Sequence, residues 1–288
     1  MKKAFSLIEI SIVILIIGIL VASISNGIDM FKETKLTNAR NLTLSSRVSR
    51  INGLVAWFET TLSNNFSYGT TTYNDIDNLK ENTYVNRWKD INPLSIQKNH
   101  AIQNTQANQP KIIIDSKSSL PMVNFTTASS QFFYLPDGTV PYKNSEYTVI
   151  IVSQPHAFCG CVVLGSGNGA TNQSNSFKYN TGGYFINFWW NSASDLLISN
   201  SVVLNKTNII TITYNQSQRF GYFNGNLKAT SSVTNRASTP INNRIGSRTG
   251  AEYFTGNIAE IIIFDRAIHD SERNDIEKYL SKKWSIEI

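Results

Sequence analysis

Four residues in one short stretch, Tyr184, Trp189, Trp190 and Asn191, carry the side chains that sugar recognition uses: flat rings that stack on a pyranose and an amide that bonds its hydroxyls. Trp189 and Trp190 are neighbours, so in a strand they point to opposite faces and at most one belongs to a core. The competing reading is that both rings are packing residues of a large sandwich. Glycoside hydrolysis takes two carboxyl groups roughly 5–9.5 Å apart. Glu260 and Asp265 are five residues apart, so in a strand they point to opposite faces, which leaves Glu260 at a sheet surface and Asp265 fixing the turn before Arg266. Cys159 and Cys161 flank Gly160, with His156 nearby. Their spacing leaves open two free thiols on a strand face, a short disulfide, or half of a metal site. The glycines at 165, 167 and 169 lie between strands and lack the following helix that a nucleotide phosphate uses. No Asp-x-Asp-x-Asp calcium loop and no Ser-His-Asp arrangement stands out. The chain is therefore read as a binding protein, not an enzyme, with no catalytic residue, cofactor or metal expected.

The elements that position these residues fall into distinct blocks. The chain begins MKKAFSLIEISIVILIIGILVASIS, an apolar run after Lys2, Lys3 and Ala4, interrupted by Glu9. About 20 such residues cross a bilayer, with the lysines on the cytoplasmic side. An acid at mid-membrane costs roughly 2.5–3.5 kcal/mol, so Glu9 needs a partner. A secretory signal carries its small-residue cleavage site after the apolar core; here the small residue, Ala4, comes before it. Ile28, Phe31, Lys35, Ala39, Leu42, Val48 and Ile51 then recur at near-helical intervals up to Asn52-Gly53, as an amphipathic helix over residues 26–52.

From Gly53 the period changes to short alternating runs, which predict strands at 54–58, 112–114, 122–125, 131–135, 147–153, 162–164, 183–190, 195–198, 208–214, 220–223, 243–245 and 259–264. Strands without interleaved helices imply an antiparallel two-sheet sandwich. A helix over 272–283, capped by Asp270 or Ser271, closes the chain, with Trp284 anchoring its end. Of the 288 residues 41% are hydrophobic and 16% charged, which suits one folded domain over 53–288. The net charge of +6 is spread along the sequence without a basic cluster, so nucleic acid is not an expected partner.

Lys2-Lys3-Ala4 followed by Phe5-Ser6-Leu7-Ile8-Glu9 resembles the prepilin-type leader of type IV pilins and type II secretion pseudopilins, although Ala4 stands where Gly is usual. That resemblance implies a leader over 1–4, cleavage between Ala4 and Phe5 by a prepilin peptidase, N-methylation of Phe5, and a retained transmembrane assembly helix over 5–25. In it Glu9 meets the amino terminus of a neighbouring pilin-like subunit. The implied setting is the bacterial inner membrane, crossed once with the N-terminus cytoplasmic and the head periplasmic, or an assembled pilus, pseudopilus or cell surface.

Gly53-Leu-Val-Ala-Trp57-Phe58, Val85-Asn-Arg-Trp88-Lys-Asp90, Pro121-Met-Val-Asn-Phe125, Phe220-Gly-Tyr-Phe-Asn-Gly225 and the run from Gly256 to Ala267 followed by Tyr279 to Trp284 resemble the laminin-G-like, concanavalin-A-like jelly rolls of bacterial surface proteins. The combined expectation is a transmembrane helix with an amphipathic extension, then an all-β jelly roll with a short C-terminal helix. Such a chain is a minor pilin or pseudopilin-like subunit whose lectin-like head binds a glycan, surface ligand or secretion substrate. The alternatives are a membrane-tethered glycan-active enzyme and a purely structural filament subunit.

Overall fold

The computed structural model describes residues 7–69, 74–75, 80–198 and 202–288. A first helix, α1 (Leu7–Ser45), runs unbroken past Asn26 and Gly27. It stops at Ser45, short of the expected Asn52-Gly53, and a 3-10 turn, Val48–Arg50, completes the approach to the head. Gly53 is where the chain turns into the sandwich. Its φ is +83°, its carbonyl accepts the Asp265 amide at 2.9 Å, and a Cβ would stand 2.5 Å from Asp265 Oδ1.

The membrane span expected over 5–25 is not shown: among the described residues no helix is long and apolar enough to cross a membrane. Over residues 7–21 the apolar side chains of α1 are exposed. Glu9 is exposed in the first turn of α1, while Ala4 and Phe5 lie outside the described residues.

The strands are β1 (Leu54–Glu59), β2 (Phe66–Tyr68), β3 (Asn74–Asp75), β4 (Arg87–Trp88), β5 (Ala101–Ile102) and β6 (Lys111–Ile114). They continue as β7 (Pro121–Phe125), β8 (Phe133–Tyr134), β9 (Tyr147–Pro155), β10 (Cys161–Gly165), β11 (Ser176–Tyr179) and β12 (Phe185–Phe188). The last are β13 (Leu196–Ile198), β14 (Asn208–Tyr214), β15 (Arg219–Phe223), β16 (Asn226–Ser231), β17 (Arg244–Ile245) and β18 (Gly256–Phe264), before helix α2 (Asp270–Trp284). An eight-stranded sheet has the order β16-β15-β14-β9-β18-β7-β6, with β1 also on β18. A ten-stranded sheet has the order β13-β12-β11-β10-β17-β8-β5-β4-β2-β3. The strands that sequence alternation does not reveal are the short ones, β2 to β5, and β11 and the exposed edge β16, whose polar residues blur the period.

The main core lies between the sheets, with Trp88, Phe133, Tyr147, Phe177 and Ile261 fully buried. A second core lies behind the eight-stranded sheet, where α2 and the Leu36–Leu42 part of α1 pack on Trp57, Ile150, Ile262 and Phe264. Strands β9 and β18 are thus covered on both faces, which accounts for their nearly continuous apolar runs. Helix α2 begins two residues earlier than expected. His269 is its N-cap, and its amide donates to Glu272 Oε2 at 2.8 Å, while Arg266 pairs with Glu272 at 2.7 Å.

Glu260 is not at a sheet surface. The β18–β9 register shifts between Ile258 and Glu260, and this bulge turns Glu260 toward the helices, where it is fully buried. Its carboxylate accepts from Trp57 Nε1 (2.8 Å), Tyr279 Oη (2.7 Å) and Trp284 Nε1 (3.1 Å). Lys283 Nζ lies 3.0 Å from Glu260, 2.8 Å from the equally buried Glu59, and 2.8 Å from Thr43 on α1. One buried ammonium thus ties both helices to two strands.

Burial of His100 lowers its pKa to about 4, with the Arg87, Lys89 and Lys98 charges adding to the effect against Asp90. Its Nδ1 accepts the Asp90 amide at 3.0 Å, a bond the imidazolium cannot make. Because the folded pKa lies below the ordinary 6.5, the unfolded chain binds the extra proton first, and stability falls as pH drops from 6.5 toward 4. Thermal melts across that window should show a decline that His100→Gln flattens.

Candidate functional site

With the helices behind the eight-stranded sheet, the outer face of the ten-stranded sheet is the one that no helix covers among the described elements. Alternation sorts its residues. On β12, Phe185 and Asn187 point inward and Phe188 points out; on β8, Phe133 is core and Tyr134 is 50% exposed; on β17, Ile245 is core and Arg244 faces outward.

Trp189 and Trp190 follow β12 and part company. Trp189 is fully buried, stacked on the Arg219 guanidinium at 3.8 Å and edge-on to Tyr214 at 5.3 Å. Trp190 is 37% exposed, with a backbone φ of +67°, a conformation that a bulky residue adopts only under constraint. The constraint is a pinned turn. Asp195 Oδ1 accepts the Trp189 amide at 2.7 Å, the Asn191 carbonyl accepts the Ser194 and Asp195 amides at 2.7 and 2.9 Å, and Asn191 Nδ2 donates to Asn172 Oδ1 at 3.3 Å. Burial raises the Asp195 pKa, against the hydrogen bonds from Trp189 and Asn191 and the charge of Arg219.

Under the Trp190 ring lies the Arg248 guanidinium, 4.1 Å from its centroid, and Phe188 meets the ring edge-on at 5.5 Å. The glycine-rich loop has its role here: a Cβ on Gly169 would be 3.4 Å from the Trp190 ring and 3.5 Å from Arg248, so the loop abuts both. Arg248 also pairs with Glu252 at 2.6 Å, and Lys178, 3.9 Å above the Phe188 ring, shares that carboxylate at 3.2 Å. Tyr253 continues the same loop and forms a bridge with Val162, so the segment lies along β10 across the open face. Beyond it, Arg244 stands 4.9 and 5.0 Å from the Phe132 and Tyr134 rings, with Tyr253 6.1 Å from Phe132. The result is a band of rings and cations from Trp190 to Tyr134, four strands apart, on the order of 20 Å.

The expected grouping of Tyr184 with the tryptophans does not form. Tyr184 precedes β12 and Trp189 follows it, so they lie at opposite ends of the strand, and the Tyr184 ring packs down on Gly182. Trp190 and Asn191 do share one turn. Cys159 and Cys161 are joined in a disulfide with Cα atoms 5.1 Å apart, so the free-thiol and metal-ligand readings fall away. Among the described residues no group of three His, Cys, Asp or Glu could hold a metal. Glu260 and Asp265 do not face a common site: the first is saturated by indole, phenol and ammonium donors, and the second is exposed beside Gly53. Arg244, Arg248 and Tyr134 were not legible as site residues. Their only sequence signal is the alternation of Phe133 with Tyr134 and the spacing of Arg244 and Arg248 around Gly246.

The profile described as the Concanavalin A-like lectin/glucanases superfamily matches residues 126–272, just over half of the 288. The chain belongs to this superfamily. The matched segment contains Tyr134, Trp190, Arg244 and Arg248, so the whole band lies within the superfamily domain. The match does not reach α1 and says nothing about the pilin resemblance. No curated protein sequence matches. Among solved structures, Trypanosoma rangeli sialidase is similar at a TM-score of 0.52 and 17% identity, over 81% of this chain and 33% of that one. The same sialidase in complex with 2,3-difluorosialic acid gives 0.53 and 15%, over 89% and 39%. This chain therefore spans little more than a third of the sialidase's length, and at such identity the likeness is one of fold.

Proposed function

We propose that this protein binds an oligosaccharide along the open face of its ten-stranded sheet, and that α1 carries this head as a minor pilin or pseudopilin-like subunit of an envelope filament. The observation that carries the binding reading is Trp190: a large ring held outward by a left-handed backbone, backed by a cation and braced by a glycine loop. Buried aromatic packing needs no such arrangement, whereas a stacking platform for a sugar does. Tyr134 offers a second ring on the same face, and the separation suits a chain of sugars over a single one.

The filament reading is favoured by the apolar side chains that α1 leaves uncovered, from Leu7 at 85% exposure to Val21 at 57%. Helices of other pilin-like subunits would cover them, with Glu9 placed to meet a neighbour's amino terminus after the peptidase cuts between Ala4 and Phe5. The head then lies outside the inner membrane, where envelope and surface glycans are found.

A glycan array probed with the full-length protein tests the first reading. Binding of a set of related oligosaccharides is expected, and no binding across the array would favour a purely structural subunit. Sugar release from a polysaccharide panel would favour the enzyme instead. Mass spectrometry of the protein from its own cells tests the second reading, with methylated Phe5 expected as the first residue and an intact Met1 in the presence of the peptidase contradicting it.

A further inference from the structure

We infer that the glycan taken by this face is acidic and that Arg244 receives its anionic group; this rests on the glycan-binding reading above. The other two cations of the band, and two around α2, already have a carboxylate. Lys178 and Arg248 share Glu252, Arg266 has Glu272, and Arg273 has Glu277 at 2.5 Å. Arg244 has no ion-pair partner among the described residues, and its Nε is buried without a hydrogen-bond acceptor. It is nevertheless held in place, with its guanidinium beside the Phe132 and Tyr134 rings, which meet edge-on at 4.8 Å. Gly250, at φ +78°, lets the crossing loop come close, since a Cβ there would be 3.3 Å from Arg244 Nη1.

A guanidinium lying against two rings has lost part of its hydration and gains most from an anion that its planar fork can bind in two places. Along the band, Lys178, Arg244 and Arg248 stand against the carboxylates of Glu252 and Asp195, so the band carries excess positive charge. Tyr134, half exposed beside Arg244, stacks the sugar that bears the acid, and the rest of the chain runs toward Trp190. A carboxylate and a sulfate ester present the same chemistry to this fork.

The test titrates the full-length protein with two matched pairs: a galacturonate oligomer against its methyl ester, and a sulfated galactan oligomer against its desulfated form. The acidic member of at least one pair should bind roughly tenfold tighter, with the advantage shrinking in high salt. Arg244→Met should bring acid and neutral partner within about twofold, and Arg244→Lys should restore only part of the difference. The pair showing the preference identifies carboxylate or sulfate as the source. Equal binding within both pairs would overturn the acidic assignment while leaving glycan binding intact. A tenfold preference surviving in Arg244→Met would overturn the role of Arg244. Binding to none of the four would count against the glycan reading itself.

Discussion

Lys283→Met should destabilise the head by about 3–5 kcal/mol, a drop in melting temperature on the order of 10 °C for a domain of this size. The substitution keeps the aliphatic stem and removes the charge that Glu59 and Glu260 share, leaving two fully buried carboxylates beside one another. Burial alone pushes the Glu59 carboxyl up, but the Lys283 charge and the hydrogen bonds from Lys283, Thr61 and Leu62 outweigh it, so its pKa sits below the ordinary 4.5. Burial likewise works against the Lys283 ammonium, and the charges of Glu260 and Glu59 more than reverse it, so its pKa sits above 10.5.

The signs give opposite limits. The Glu59 contribution is fully present above pH 4.5 and is lost as pH falls through its lowered pKa, while the Lys283 contribution is present below pH 10.5 and is lost as pH rises through its raised one. The loss in Lys283→Met should be partly recovered by adding Glu59→Gln, which removes one unpaired charge. Because Lys283 also reaches Thr43, the variant should loosen the docking of α1 as well, measurable as faster amide exchange over residues 36–45. A melting temperature unchanged from wild type would remove this network from the account of stability.

Trp190→Ala should weaken oligosaccharide binding at least tenfold, about 2 kcal/mol, while lowering the melting temperature only slightly. The ring is only partly covered, by Arg248 and Phe188, and its backbone conformation is no more suited to tryptophan than to alanine, so the stability change should be about 1 kcal/mol. Its neighbour supplies the contrast. Trp189→Ala opens a cavity in the main core against Tyr214 and Arg219 and should cost about 3–5 kcal/mol. Calorimetric titration and thermal melts on the two variants separate a recognition residue from a packing residue one position away.

Much of the architecture is legible in the sequence where an apolar run is long enough to be read. The strands Tyr147–Pro155, Asn208–Tyr214 and Gly256–Phe264 were legible from their apolar runs, and the Asn224-Gly225 turn from its residue types. The motif from Val85 to Asp90 also has a physical reason. Trp88 fills the core and donates to the Glu59 carbonyl at 2.8 Å, and Asp90 accepts the Trp57 and Asn92 amides at 2.9 Å each, locking the loop to β1.

What was not legible depends on contacts distant in sequence. A register shift in β18 decides that Glu260 meets Lys283 and not solvent, and no local pattern announces a bulge. The site was half legible. Alternation separates Trp189 from Trp190, but the band that Trp190 belongs to comes from a crossing loop that brings Arg248, Glu252 and Tyr253 over β10. Tyr184 was misplaced because a run read as one strand over 183–190 is only Phe185–Phe188, with the tyrosine and the tryptophans at its two ends.

The central claim is that the open face of the ten-stranded sheet, at Trp190, is where a glycan binds. The chain has five tryptophans, and the other four, Trp57, Trp88, Trp189 and Trp284, are buried. Their indole N–H groups give five resonances in a nitrogen-15 correlation spectrum of the full-length protein. Titration with the tightest-binding oligosaccharide should shift the Trp190 indole strongly and leave those of Trp57, Trp88 and Trp284 in place; a bound sugar that leaves the Trp190 resonance unmoved would contradict the assignment.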